Sequence, residues 1–123
     1  MKRAFLKSTD SLSLHPENTN IDFTVELPRG IQASECALSS IYYDESFEDR
    51  LYVLCDICEH SIAHDTTLPI LRLVQDPGEV SNLQFIPVVE REIKRMRIRL
   101  VKQSLDPPSS LVGDVTCVII FKL

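Results

Sequence analysis

Cys55, Cys58, His60 and His64 place four zinc-type ligands within ten residues of the chain. Zinc takes thiolates and imidazoles in tetrahedral geometry, so this constellation is the zinc candidate of the sequence. Two features weigh against it. Zinc sites of this class separate the CxxC pair from the His pair by about a dozen residues. Cys55 also lies in an apolar, strand-like run, where residues three apart point to opposite faces unless the strand stops between them. A redox role for the CxxC needs a surrounding βαβ pattern, and none is present. The reading is therefore that no metal and no other cofactor is required.

Asp56 follows Cys55 near the end of the same run. A buried carboxylate has to be paired or hydrogen-bonded, and Arg72, on the next apolar segment, is its expected ion-pair partner; the alternative is an Asp56 that faces solvent. The densest positive feature is Arg91, Lys94, Arg95, Arg97, Arg99 and Lys102. On a strand, Arg95, Arg97 and Arg99 share one face. Such a face is most simply solvated. Its functional version is a subunit seam against the acidic segment Asp44, Glu45, Glu48 and Asp49 of a neighbouring copy, since opposite charge sets register and partner choice across an interface. Nucleic acid fits least well, because no stacking aromatics interleave the arginines. Nucleophile elbows, phosphate-binding glycine loops and HExxH motifs are missing, so an enzyme is not expected.

These residues must be positioned by a chain of 123 residues, enough for one domain spanning 1–123 with its own core. Hydrophobic content of 44% and charged content of 25% are those of an ordinary globular domain. A net charge of −5 and a pI near 5.1 argue against general nucleic-acid coating. No apolar run has membrane-spanning length. The basic start MKRAFLKSTDSLSL lacks an apolar h-region, so export through a signal peptide is not expected. Cys36, Cys55, Cys58 and Cys117 are then expected as reduced thiols, three of them packed in apolar runs.

Turn signals recur at short intervals: Pro16-Glu17-Asn18, Pro28-Arg29-Gly30, Asp44-Glu45-Ser46, Asp76-Pro77-Gly78, Asp106-Pro107-Pro108 and Gly113-Asp114. Between them stand strand-like runs over 3–7, 21–27, 35–43, 51–57, 68–74, 82–88, 92–102 and 115–123. In 21–27, Ile21, Phe23, Val25 and Leu27 alternate with Asp22, Thr24 and Glu26, a half-buried strand. Segment 92–102 also fits helical spacing through Ile93, Met96 and Leu100, but its period-2 match is cleaner and a strand is preferred. Residues 1–15 read as a weak first strand or as a flexible interface arm. The sum is an all-β chain of about eight antiparallel strands, a single jelly-roll β-sandwich.

Several segments, in order, resemble a known family. They are Pro16-Glu17-Asn18-Thr19, Phe23-Thr24-Val25 with Leu27-Pro28, the block Leu51–Ile57, Leu71-Arg72-Leu73-Val74, Phe85-Ile86-Pro87-Val88, Met96-Arg97-Ile98-Arg99-Leu100 and Ile120-Phe121-Lys122. The order resembles the penton, or minor capsid protein, of Polinton/Maverick elements and adintovirus-like genomes, over residues 16–123. Ala63-His64-Asp65 departs from the family's Val-Gly-Asp, and the short chain leaves little room for a projecting receptor-binding domain. The resemblance implies a virion protein without catalytic residues, assembled in the nucleus or cytoplasm of a host cell. It implies a homopentamer at icosahedral vertices, with the double-jelly-roll major capsid protein as partner. A cellular or domesticated β-sandwich module that binds a protein or peptide is the alternative.

Overall fold

The computed structural model describes residues 1–123 and contains strands and turns but no helix. Eleven strands follow one another: β1 (Lys2–Lys7), β2 (Asp22–Gln32), β3 (Glu35–Tyr42), β4 (Leu51–Cys55), β5 (Ser61–Ala63), β6 (Thr66–Leu68), β7 (Ile70–Val74), β8 (Gly78–Glu79), β9 (Ile86–Pro87), β10 (Glu92–Lys102) and β11 (Thr116–Lys122). One sheet has five strands in the order β1-β11-β3-β8, with β9 also paired to β3; the other has four in the order β2-β10-β4-β7. All pairings are antiparallel. Successive strands thus alternate between the sheets at both ends of the chain, which is the interleaved order of a jelly roll.

Alternation explains which face each strand buries. On β2, Phe23 and Val25 are buried, while Asp22, Thr24 and Glu26 lie on the outer face. On β10, Met96, Ile98 and Leu100 are buried between arginines. Ile93 is buried too, three residues before Met96, because the register slips between Ile93 and Arg95. That irregularity shifts the phase of the strand and is the source of the helical spacing in the sequence. On β11, Cys117, Ile119 and Phe121 point inward against Ile41, Leu38 and Cys36 of β3. Twenty-six buried residues form one cluster between the sheets, and all four cysteines belong to it.

Several boundaries differ from those expected. Pro28-Arg29-Gly30 is not a terminating turn but a distortion inside β2, an edge strand where a proline sacrifices no ladder bond. Gly30 has φ +66 there, a left-handed backbone that glycine adopts without strain. Segment 82–88 contributes only the two residues of β9, which together with β8 forms a short, broken edge beside β3. Residues 1–15 begin with a strand, the first of their two expected forms. Their first part is β1, in register with β11. The following turn is pinned by Ser8, whose Oγ accepts from Val115 N at 3.1 Å, and by Ser11, whose Oγ accepts from Glu26 N at 3.1 Å.

The connections gather at two ends. Asn20 Nδ2 donates to the carbonyls of Leu111 and Gly113, tying 8–21 to 103–115 at one end, where 43–50 and 75–77 also lie. At the other end Ala33 N donates to Arg91 O and Val89 N donates to Ile57 O.

Candidate functional site

The metal-like letters are pulled apart by the fold. Cys55 is the last residue of β4 and points into the core, and Cys58 follows in a tight turn closed by Cys58 N to Cys55 O at 3.0 Å. His60 is exposed before β5, and His64 sits at the tip of the β5–β6 hairpin with φ 50, its ring 6.3 Å from that of Tyr52. Buried thiols inside and exposed imidazoles outside cannot converge on one ion. No group of three or more His, Cys, Asp or Glu side chains is arranged to hold a metal. Cys58 instead meets Cys36 of β3, Sγ to Sγ 3.7 Å. The Cys36 and Cys55 thiols beside it, and its burial, push the Cys58 thiol up. Burial, with Cys55 nearby, pushes Cys117 up to about 12. These are protonated thiols, poor nucleophiles while the core is closed.

Asp56 does not pair with Arg72. Its Oδ1 accepts the backbone N–H of Arg97 at 2.9 Å, whereas the Arg72 guanidinium donates to the carbonyl of Asn82. The reason is topological. Arg72 lies on the far edge strand β7, opposite Val53, whereas Asp56 has turned past the end of β4 towards β10. Its carboxyl faces a surface recess lined also by Ile57, Val89, Glu90, Glu92, Lys94 and Arg95. Desolvation there raises its pKa above the ordinary carboxylate value, against the lowering effect of the Arg97 N–H and guanidinium.

The arginine stripe lies on the outer face of the four-stranded sheet, and its nearest partners are in the same chain. Arg97 Nε and Nη2 donate to Asp22 Oδ1 and Oδ2 at 2.9 and 2.7 Å, a two-point contact. Arg95 Nε donates to Glu26 Oε2 at 3.2 Å, and the His15 imidazole approaches the same oxygen at 3.7 Å. Arg97 stands opposite Thr24 and reaches diagonally to Asp22, which stands opposite Arg99. Asp22 and Glu26 were the unrecognised half of this ladder. Their alternation was visible, but not that β2 would lie beside β10.

The acidic segment is the reverse case. Phe47 is buried, packs edge-on against Tyr43 with ring centroids 6.5 Å apart, and so anchors the loop. Asp44 Oδ1 accepts from Ser46 Oγ and N, and these two bonds hold its carboxyl below the ordinary value. Asp44, Glu45, Glu48 and Asp49 make no ion pair within the chain. They share their end of the sandwich with Asp10, Glu17, Asp76, Asp106 and Asp114, against Arg50 as the one Lys or Arg in these connections.

The fold also leaves both sheets open on one side, where edge strands β1 and β2 face each other. A groove of about 670 Å³ runs between them, lined by Phe5, Leu14, Val25, Leu27 and Ile31 among others. Phe5 is 69% exposed on the outer face of β1.

Comparison with known proteins adds no relative. The chain matches no family model, no curated protein and no solved structure.

Proposed function

We propose that this chain is a structural capsid subunit, a penton-like single jelly roll that assembles as a homopentamer at icosahedral vertices beside a double-jelly-roll major capsid protein. The observation that carries the reading is the pairing of the interleaved strand order with the collinear segments that resemble Polinton/Maverick pentons. Leu51–Ile57 supplies β4, Leu71–Val74 lies in β7, Met96–Leu100 in β10 and Ile120–Lys122 in β11. A subunit of this kind needs lateral surfaces with fixed register, and oppositely charged patches supply that. The acidic segment Asp44–Asp49, with four carboxylates free of in-chain cations, is the better candidate for such a contact. Arg95 and Arg97 are already engaged by Glu26 and Asp22, so Arg91, Lys94, Arg99 and Lys102 are the cations of the stripe with no ion pair in the chain.

The test is assembly itself. Native mass spectrometry and electron microscopy of the purified protein should show pentamers or rings that Glu45→Lys with Glu48→Lys disrupts while far-UV circular dichroism stays unchanged. A strict monomer at high concentration, with or without a major capsid protein, refutes the proposal. The groove between β1 and β2, with Phe5 beside it, favours a second reading: a β-sandwich module that binds an extended peptide at its open edge. A monomer that captures a peptide there would decide for it.

A further inference from the structure

We propose that Cys36 and Cys58 form a reversible disulfide that staples one sheet of the sandwich to the other. Their sulfurs lie 3.7 Å apart, in contact and buried. Cys36 belongs to β3 of the five-stranded sheet, and Cys58 to the turn leaving β4 of the four-stranded sheet. A disulfide brings the sulfurs to about 2 Å. The side that moves is the Cys58 turn, which is held by its bond to Cys55 O and by an isolated bridge to Val88 rather than by a main ladder. Opening of this turn is also the route by which an oxidant reaches the thiols, so the reaction is slow and follows local unfolding.

The oxidant is a small-molecule disulfide. The Cys58 thiol, exposed by opening, loses its proton and attacks one sulfur of the oxidant. That forms a mixed disulfide and releases one small thiol. Cys36 then displaces the second small thiol as its own sulfur bonds to Cys58. Two protein thiols and one disulfide become one protein disulfide and two small thiols, and a dithiol reductant reverses the step. A bond between Cys55 and Cys58 would close only a tight turn. The Cys36–Cys58 bond links positions 22 residues apart on different sheets, and the loop it closes constrains the unfolded chain far more.

The protein is incubated with oxidised glutathione, then unfolded in the presence of excess alkylating reagent at mildly acidic pH, where thiol exchange is slow, and digested. Two of the four thiols should be lost, with Cys36 and Cys58 recovered in one disulfide-linked peptide pair. The melting temperature should rise by about 5–10 °C and return on reduction. Cys58→Ala should show no such rise, whereas Cys117→Ala should keep it. Four free thiols after prolonged oxidation, a Cys55–Cys58 or intermolecular linkage, or an equal rise in Cys58→Ala would overturn the proposal. If a variant fails to fold, the peptide map of the unaltered chain decides alone.

Discussion

The Arg97–Asp22 contact gives the sharpest test of how the outer ladder works. Two hydrogen bonds join a guanidinium 49% exposed to a carboxylate 42% exposed. Exposed ion pairs contribute about 0.2–1 kcal/mol, and two-point geometry places this one near the upper end. A double-mutant cycle of Arg97→Ala and Asp22→Ala should therefore return a coupling of about 0.5–1 kcal/mol. Charge reversal goes further. Arg97→Glu removes the pair and sets a carboxylate against Asp22 and close to Asp56, so the loss should reach about 1.5–2 kcal/mol, or roughly 6–8 °C in melting temperature. The chain has no Trp, so urea unfolding is followed by far-UV circular dichroism. Raising salt to about 0.5 M should shrink the coupling substantially. A coupling indistinguishable from zero at low salt, or one that salt leaves intact, refutes the idea that the arginines serve their own sheet first.

Other outcomes follow from individual residues. Asp56 holds its proton to higher pH in the folded chain than in the unfolded one. The stability it supplies is complete below the ordinary carboxylate pKa and is lost as pH rises through the folded value. Asp56→Asn should thus be more stable than the unaltered chain at neutral pH, with the gain vanishing in acid; a pH series of urea midpoints checks it, and destabilisation at neutral pH contradicts it. Gly30→Ala should cost about 1 kcal/mol or more, since φ is +66 and the added Cβ would meet Ile93 O at 3.4 Å; an unchanged urea midpoint would count against it. Ile98→Ala, at a position with no exposure, should cost about 2–5 kcal/mol by transfer and cavity terms, as read by the same unfolding curves.

The strands were legible where burial alternates cleanly. Segment 92–102 is β10 to the residue, and 51–57 and 115–123 contain β4 and β11 with only their ends trimmed. Position within a sheet was harder to read. Pro28 and Gly30 look like a strand end in sequence, yet an edge strand absorbs them as a distortion, because edge backbone need not complete a ladder. The β5–β6 hairpin was missed. Its turn rests on His64 and Asp65, both with positive φ, and neither is the Asn-Gly or Asp-Gly pair that announces such a turn. Two contacts read from the sequence have other partners in the fold. Cys58 was paired on paper with its near neighbours, and Asp56 with Arg72, because local spacing is all that a sequence displays. Cys36 reaches Cys58 across the sandwich, and Arg97 reaches Asp56 across β4 and β10. Both contacts come from long-range strand order, to which no local pattern points.

The β5–β6 hairpin stands apart from both sheets. Its two strands pair only with each other, Ile62 is 82% exposed, and the tip touches the sandwich through the edge of Tyr52. Chain length at Ala63–Thr66 is therefore uncoupled from the register of every core strand. Residues inserted, deleted or exchanged at this tip leave β4 and β7 where they are. It is a natural port for a tag, a fluorophore or a grafted epitope.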